Sequence, residues 1–160
     1  YRLIVSRVTM KEKQQRLTSD RIIRSFEDLE CWKACRELRL FVQKVVVPAL
    51  PKEERFRLGD QLLRAARSST ANLAEGYGRF HYMDNAKFCS NSRGSCWEVL
   101  DHLITAMDEE LIPSEMLDKG RDLVNNSVRL INGYMNYLKR VSRGKTVKEP
   151  PAIYSETDNQ

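Results

Sequence analysis

Apolar positions recur at steps of three and four along four separate stretches of this chain, and that rhythm predicts four helices. The first stretch opens at Ser25, whose hydroxyl suits the freed N–H groups of a helix start, with Asp28 three residues on. Its inward stripe reads Leu29, Trp32, Cys35, Leu38, Phe41 or Val42, and Val45, and Pro48 and Pro51 stop it. Pro51 also suits the first turn of the second helix. The stripe there is Phe56 or Leu58, Leu62, Ala65, Ser69, Asn72 or Leu73, and Gly76, mostly small residues that let two helix axes approach. Gly76-Tyr77-Gly78 ends it, because Gly readily takes the left-handed conformation of a helix C-terminus. The third helix begins near residues 81–84 and points Phe88, Asn91 or Ser92, Ser95, Val99, Leu103 and Ala106 inward. Gly94 lies inside it at a cost of about 1 kcal/mol relative to Ala, which points to close backbone packing there, with a weak helix as the alternative. Pro113 ends this helix and Ser114 caps the fourth, which carries Leu117, Val124, Ser127 or Val128, Ile131, Tyr134 and Leu138.

No segment alternates as a strand bounded by hairpin turns. Helices of about 20–28 residues are roughly 30–40 Å long, and their short connections force neighbours to run antiparallel. The expected fold class is therefore all-α, an antiparallel up-down-up-down four-helix bundle over residues 25–141. Residues 1–24 form a basic extension, possible to read as starting natively at Met10, and residues 142–160 a polar, disordered tail.

Composition adds two constraints. With 160 residues, 41% hydrophobic and 31% charged, the chain suits one soluble domain. No apolar run reaches the roughly 18 residues of a membrane span, and the first eight residues are too short and charged for a signal peptide. A cytoplasmic location is expected, and four Cys inside helical patterns fit reduced thiols. The net charge of +5 is unevenly placed: residues 1–24 carry +5, residues 139–160 carry +2, and residues 25–138 carry −2. Residues 52–96 are net +3, whereas residues 97–112 hold five acids and no Lys or Arg.

Several runs have a specific character: Trp32-Lys33-Ala34, Leu50-Pro51-Lys52-Glu53-Glu54 with Leu58, Gln61-Leu62-Leu63-Arg64-Ala65-Ala66, and above all Asn72-Leu73-Ala74-Glu75-Gly76-Tyr77-Gly78-Arg79, followed by Gly94-Ser95 and Glu98. Over about residues 26–141 the chain resembles the four-helix bundle family first noticed in intervening sequences of bacterial large-subunit ribosomal RNA genes. That family is structurally related to the accessory variability determinant of diversity-generating retroelements. The resemblance implies a homopentamer around a central channel and no catalytic residues. In the retroelement branch it implies a basic, nucleic-acid-binding partner of a reverse transcriptase. The sequence departs from the pattern at Ser69 and Thr70, at His81 and at Asn85.

The candidate chemistry is sparse. Asn72 and Glu75 lie where the small stripe turns inward and suit either a ligand site or structural pairing at a helix end or subunit contact. With Trp32, Gly76 and Gly94 they make up the expected structural and assembly set. Cys31, Cys35, Cys89 and Cys96 lack the spacing of a zinc site, with His81 and His102 the only histidines, so inert buried thiols are expected and no metal or other cofactor. Glu98, Asp101 and residues 108–110 read as a solvated acidic face. Arg57, Arg64 and Arg67 share one flank of the second helix, with Arg79 just beyond, Arg93 on the third, and Arg21 and Arg24 in the extension. They suit phosphate contact or a solvated face paired with acids, and Tyr77, Phe80 and Tyr82 suit base stacking or packing. The leading expectation is a non-enzymatic, pentameric adaptor for RNA or RNA/DNA without sequence readout. The alternative is a protein–protein interaction ring with no nucleic-acid role.

Overall fold

A computed structural model describes residues 23–79 and 81–144. The expected disordered tail beyond residue 144 and most of the basic extension, Arg21 included, lie outside these residues, as does Phe80, while Ser142, the first residue of that tail, still belongs to the last helix. The described residues are all-helical, with four long helices and no strand among them. Helix α1 spans Glu30–Phe41 and continues without a break through a π turn, Val42–Val46, and Val47–Ala49. Helix α2 is Leu58–Tyr77, α3 is Tyr82–Asp108 and α4 is Ser114–Ser142. α2 packs on α3, α3 on α4, and α1 on both α4 and α2.

α2 and α4 bury the faces their periodicity marks. On α4 the expected stripe of Leu117, Val124, Ser127, Val128, Ile131, Tyr134 and Leu138 is buried throughout. On α2 it is Leu58, Leu62, Ala65, Ser69, Leu73 and Gly76. Midway along the bundle the four helices meet through small side chains: Cys35 from α1, Ser69 from α2, Ser92 and Cys96 from α3 and Ser127 from α4, all fully buried. The serine hydroxyls are satisfied internally. Ser92 donates to the Ser69 carbonyl at 2.6 Å, Ser69 to the Ala66 carbonyl and Ser127 to the Leu123 carbonyl, both at 2.8 Å.

Helix ends and registers depart from expectation in several places. The Ser25–Asp28 capping box forms, but it caps a 3-10 turn at Phe26–Asp28, and α1 starts after extended Leu29. Val46 is buried and Val45 is exposed, the reverse of the expected stripe, because the π turn adds a residue and rotates the register. Pro48 follows directly; its ring would strike the carbonyl four residues back, and the wider turn relieves that clash. The helix therefore continues past Pro48 instead of stopping there. The second helix is interrupted: a single turn, Lys52–Arg55, is followed by a break at Phe56 and Arg57, which leaves Phe56 86% exposed. Gly78 closes α2 with φ −73, right-handed and not the left-handed cap expected. α3 ends at Asp108, before Pro113, where Glu110 takes φ 56. Pro113, not Ser114, is the N-cap of α4.

Candidate nucleic-acid interface and assembly surface

The exposed flank of α2 begins just past the break. Arg57 is exposed and lies 3.5 Å from Glu54. Arg64 and Arg67 are exposed too, and neither pairs with an acid among the described residues. Asp60 stands one turn before Arg64 without closing an ion pair. Beside them, α1 contributes two further cations. Arg39 donates through Nη1 to Thr70 Oγ1 at 3.0 Å, and Thr70 Oγ1 donates in turn to the Arg67 carbonyl at 3.1 Å. The Arg39 guanidinium is thereby held next to the turn bearing Arg67, and Arg36 lies one turn before it, exposed and unpaired among the described residues. The seam between α1 and α2 thus gathers Arg36, Arg39, Arg64 and Arg67. Sequence reasoning singled out only the last two. The three-residue step from Arg36 to Arg39 on the polar face of α1 was the available signal, but only the packing of α1 against α2 joins the two pairs.

Two of the remaining expected phosphate ligands, Arg79 and Arg93, are otherwise engaged. Arg79 pairs with Glu75, and its guanidinium carbon sits 4.7 Å over the Phe88 ring. Arg93 donates to Asn132 Oδ1 at 2.9 Å and ties α3 to α4. Arg24 is exposed, and its backbone N–H donates to Asp28 Oδ2 at 2.9 Å. That contact helps to hold the Asp28 carboxyl below its ordinary pKa, with the Ser25 N–H next. Of the aromatics, Tyr77 packs against the core and Tyr82 is half exposed.

The expected assembly residues divide in the same way. Glu75 is exposed and does not face inward, because it sits on the outer side of α2 beside Arg79. Asn72 is half-buried and donates to the Ser68 carbonyl at 2.9 Å and to Ser68 Oγ at 3.0 Å. Ser68 Oγ lies 2.8 Å from Ser95 Oγ, which joins α2 to α3. Trp32 is half-buried, edge-on to Phe26 with ring centroids 5.3 Å apart. Gly76 is tightly enclosed: a Cβ there would lie 2.8 Å from Phe88 Cβ and 2.9 Å from Asn85 Oδ1. Gly94 is the opposite, since a Cβ there meets nothing within 4 Å, so the close packing expected at this position is not made inside the protomer.

All four cysteines are free and buried. Cys35 Sγ and Cys96 Sγ are 3.8 Å apart. Burial, with Cys89 next, pushes the Cys31 thiol well up, and burial raises Cys89 to about 12. The contact with Cys35, together with burial, raises Cys96, and the same contact lowers Cys35, which burial shields from solvent. Thiols held this way stay protonated and unreactive at neutral pH. Among the described residues no three His, Cys, Asp or Glu side chains gather as a metal site. None of the described helices is long and apolar enough to cross a membrane.

The sequence model of the 23S rRNA-intervening sequence protein family matches residues 27–133, more than half of the chain. A search of curated proteins finds no match.

Proposed function

Because the chain belongs to the 23S rRNA-intervening sequence protein family, we propose that it is a non-catalytic, homo-oligomeric adaptor that contacts RNA or an RNA/DNA hybrid through phosphates, without reading sequence. The observation that carries this is the α1–α2 seam, where Arg36, Arg64 and Arg67 face solvent with no acid partner among the described residues and Arg39 is pinned beside them. Guanidinium groups suit phosphate oxygens, and unpaired cations on a rigid surface release counterions when they meet a polyanion. The expected topology is up-down-up-down. Its support is that contacting residues descend on one helix as they rise on the next: Ser92 on Ser69 and Phe88 on Gly76; Leu103 on Gly120 and Arg93 on Asn132. We extend the proposal to a homopentamer in the cytoplasm and, by the retroelement resemblance, to a reverse transcriptase as partner. Five copies would convert a few Arg per chain into a ring of charge.

Filter binding over a salt series tests the phosphate reading. Binding should be steeply salt-dependent and alike for unrelated sequences of one length. Absence of retention at low salt for every RNA, hybrid and DNA tried removes the reading.

A protein–protein ring without nucleic acid is the second reading. It is favoured by the net −2 of residues 25–138 and by the exposed Trp97, Met83 and Phe56. It predicts that deleting residues 1–24 abolishes any nucleic-acid binding, whereas the first predicts that the trimmed bundle still binds.

A further inference from the structure

Periodicity offers Phe56 or Leu58 as the first inward residue of the second helix, and the break before α2 decides between them. Leu58 is buried, and the Phe56 ring is left almost wholly in water. Its bareness is unusual for this surface: Val45, Tyr82, Met83 and Trp97 each keep about half of their area covered. The ring is also held in place. Arg55, its neighbour, folds back and donates through Nε to the Leu50 carbonyl at 3.0 Å and through Nη2 to the Pro48 carbonyl at 2.7 Å. Leu50 is itself part of the core. On the other side, the Arg57 N–H donates to the Glu54 carbonyl at 3.2 Å. α2 starts hard against this turn, since a Cβ at Gly59 would lie 3.2 Å from the Glu54 carbonyl oxygen and 3.4 Å from Leu50 Cδ1. The backbone on both sides of Phe56 is thus tied down, and the ring projects from a fixed elbow.

Arg57 stands next to it with its side chain 75% exposed, and its one ion-pair neighbour among the described residues is Glu54. Arg64 and Arg67 follow on the same flank of α2. Arg64 lies six residues past Leu58, roughly 9 Å along the axis, and Arg67 about 4.5 Å further. The elbow itself has no surplus charge, because Lys52, Arg55 and Arg57 balance Glu53, Glu54 and Asp60. What it adds to the flank is an aromatic face, not further attraction for phosphate. A bare aromatic at the end of a row of guanidinium groups suits a single strand, with phosphates on the cations and a base on the ring. A duplex offers no such face along its length, because its bases are already stacked on one another.

We propose that Phe56 stacks on an unpaired base of the strand whose phosphates lie along Arg57, Arg64 and Arg67, so that it adds affinity for single-stranded or locally unpaired RNA and none for a continuous duplex. The contact is indifferent to base identity, because every base has a π face. The inference rests on the phosphate half of the proposed function and names the form of nucleic acid which that half engages.

Fluorescence anisotropy on the full chain tests it, with a labelled RNA that lacks self-complementarity and the same RNA annealed to its complement. Because the ring packs on so little, Phe56→Ala, Phe56→Leu and Phe56→Trp should all keep the helix content of the wild type by circular dichroism. Phe56→Ala should weaken single-strand binding about fivefold to a hundredfold and leave duplex binding within about twofold. Its log–log salt slope should not change, since no phosphate contact is lost. Phe56→Trp should bind as the wild type does, and Phe56→Leu, apolar without a π face, should bind as weakly as Phe56→Ala. If wild-type binding is salt-dependent and Phe56→Ala binds the single strand as tightly, the stacking inference is overturned while the phosphate reading stands. Equal losses on single strand and duplex, or full affinity in Phe56→Leu, also overturn it. So does a Phe56→Ala chain that keeps its affinity but sediments differently without RNA, because the ring is then covered by protein. A wild type that binds neither RNA at low salt removes the phosphate reading itself, and the inference with it.

Discussion

Asn85 sits where α3 faces Gly76 of α2, and its surroundings explain two neighbouring residues. Its Nδ2 donates to the buried Tyr134 hydroxyl at 3.0 Å, and its Oδ1 and backbone carbonyl crowd the face of Gly76. The obstruction at Gly76 includes Phe88 Cβ, the root of a side chain fixed to the α3 backbone, so it cannot swing aside. Gly76→Ala is therefore expected to destabilise by about 1–3 kcal/mol in urea denaturation, despite the better helix propensity of Ala. The cysteines give a second residue-scale expectation. At pH 8 the Cys89 thiol, near 12, is ionised to about one part in ten thousand, and Cys35, which its contact with Cys96 lowers, is fully buried, so a disulfide reagent should label none of the four in the folded chain and all four in urea. The sign of the pH dependence follows from the same shifts. Unfolded thiols lose protons around pH 9, while folded Cys31, Cys89 and Cys96 keep theirs and only Cys35 is shifted the other way, so on balance the unfolded state binds fewer protons and stability falls as pH rises. Urea midpoints at pH 8 and pH 10 check this, and a midpoint that rises with pH would contradict it.

At the scale of elements, the sequence was most legible where a helix has no backbone irregularity. The inward face of α4 follows from periodicity alone because Leu117 through Leu138 keep one register. α1 was misread past Phe41 because a run of valines offers two apolar registers at equal cost, and only the strain relief before Pro48 selects the wider turn. Val46→Ala should cost about 2 kcal/mol and Val45→Ala under about 0.5, a difference that thermal unfolding can measure. The break at Phe56 was hidden for a similar reason: Lys52–Arg55 is a good helical turn by composition, and nothing local says that Leu58 starts a new one. Of the candidate site, Arg64 and Arg67 were readable as one flank, while the contribution of Arg39 depends on a hydrogen bond to Thr70 across 31 residues. The engagement of Arg79 over Phe88 and of Arg93 on Asn132 depends likewise on which helices become neighbours.

For the whole molecule, the distribution of charge matters more than its sum. The described bundle has a basic α1–α2 seam and an acidic stretch at the end of α3, and the extension at residues 1–24 adds a net +5. Any polyanion binding can therefore come from the tail, from the seam or from both, and the salt dependence of affinity separates them. On duplex nucleic acid each lost phosphate contact lowers the log–log salt slope by about 0.9, and on single strands by about 0.7. The most direct measurement is thus the salt slope of the full chain against Arg64→Ala with Arg67→Ala, each followed on one RNA/DNA hybrid. We expect the double variant to bind more weakly at every salt concentration, with a slope shallower by about 1–2. An unchanged affinity and slope would contradict a role for the α2 flank in phosphate contact.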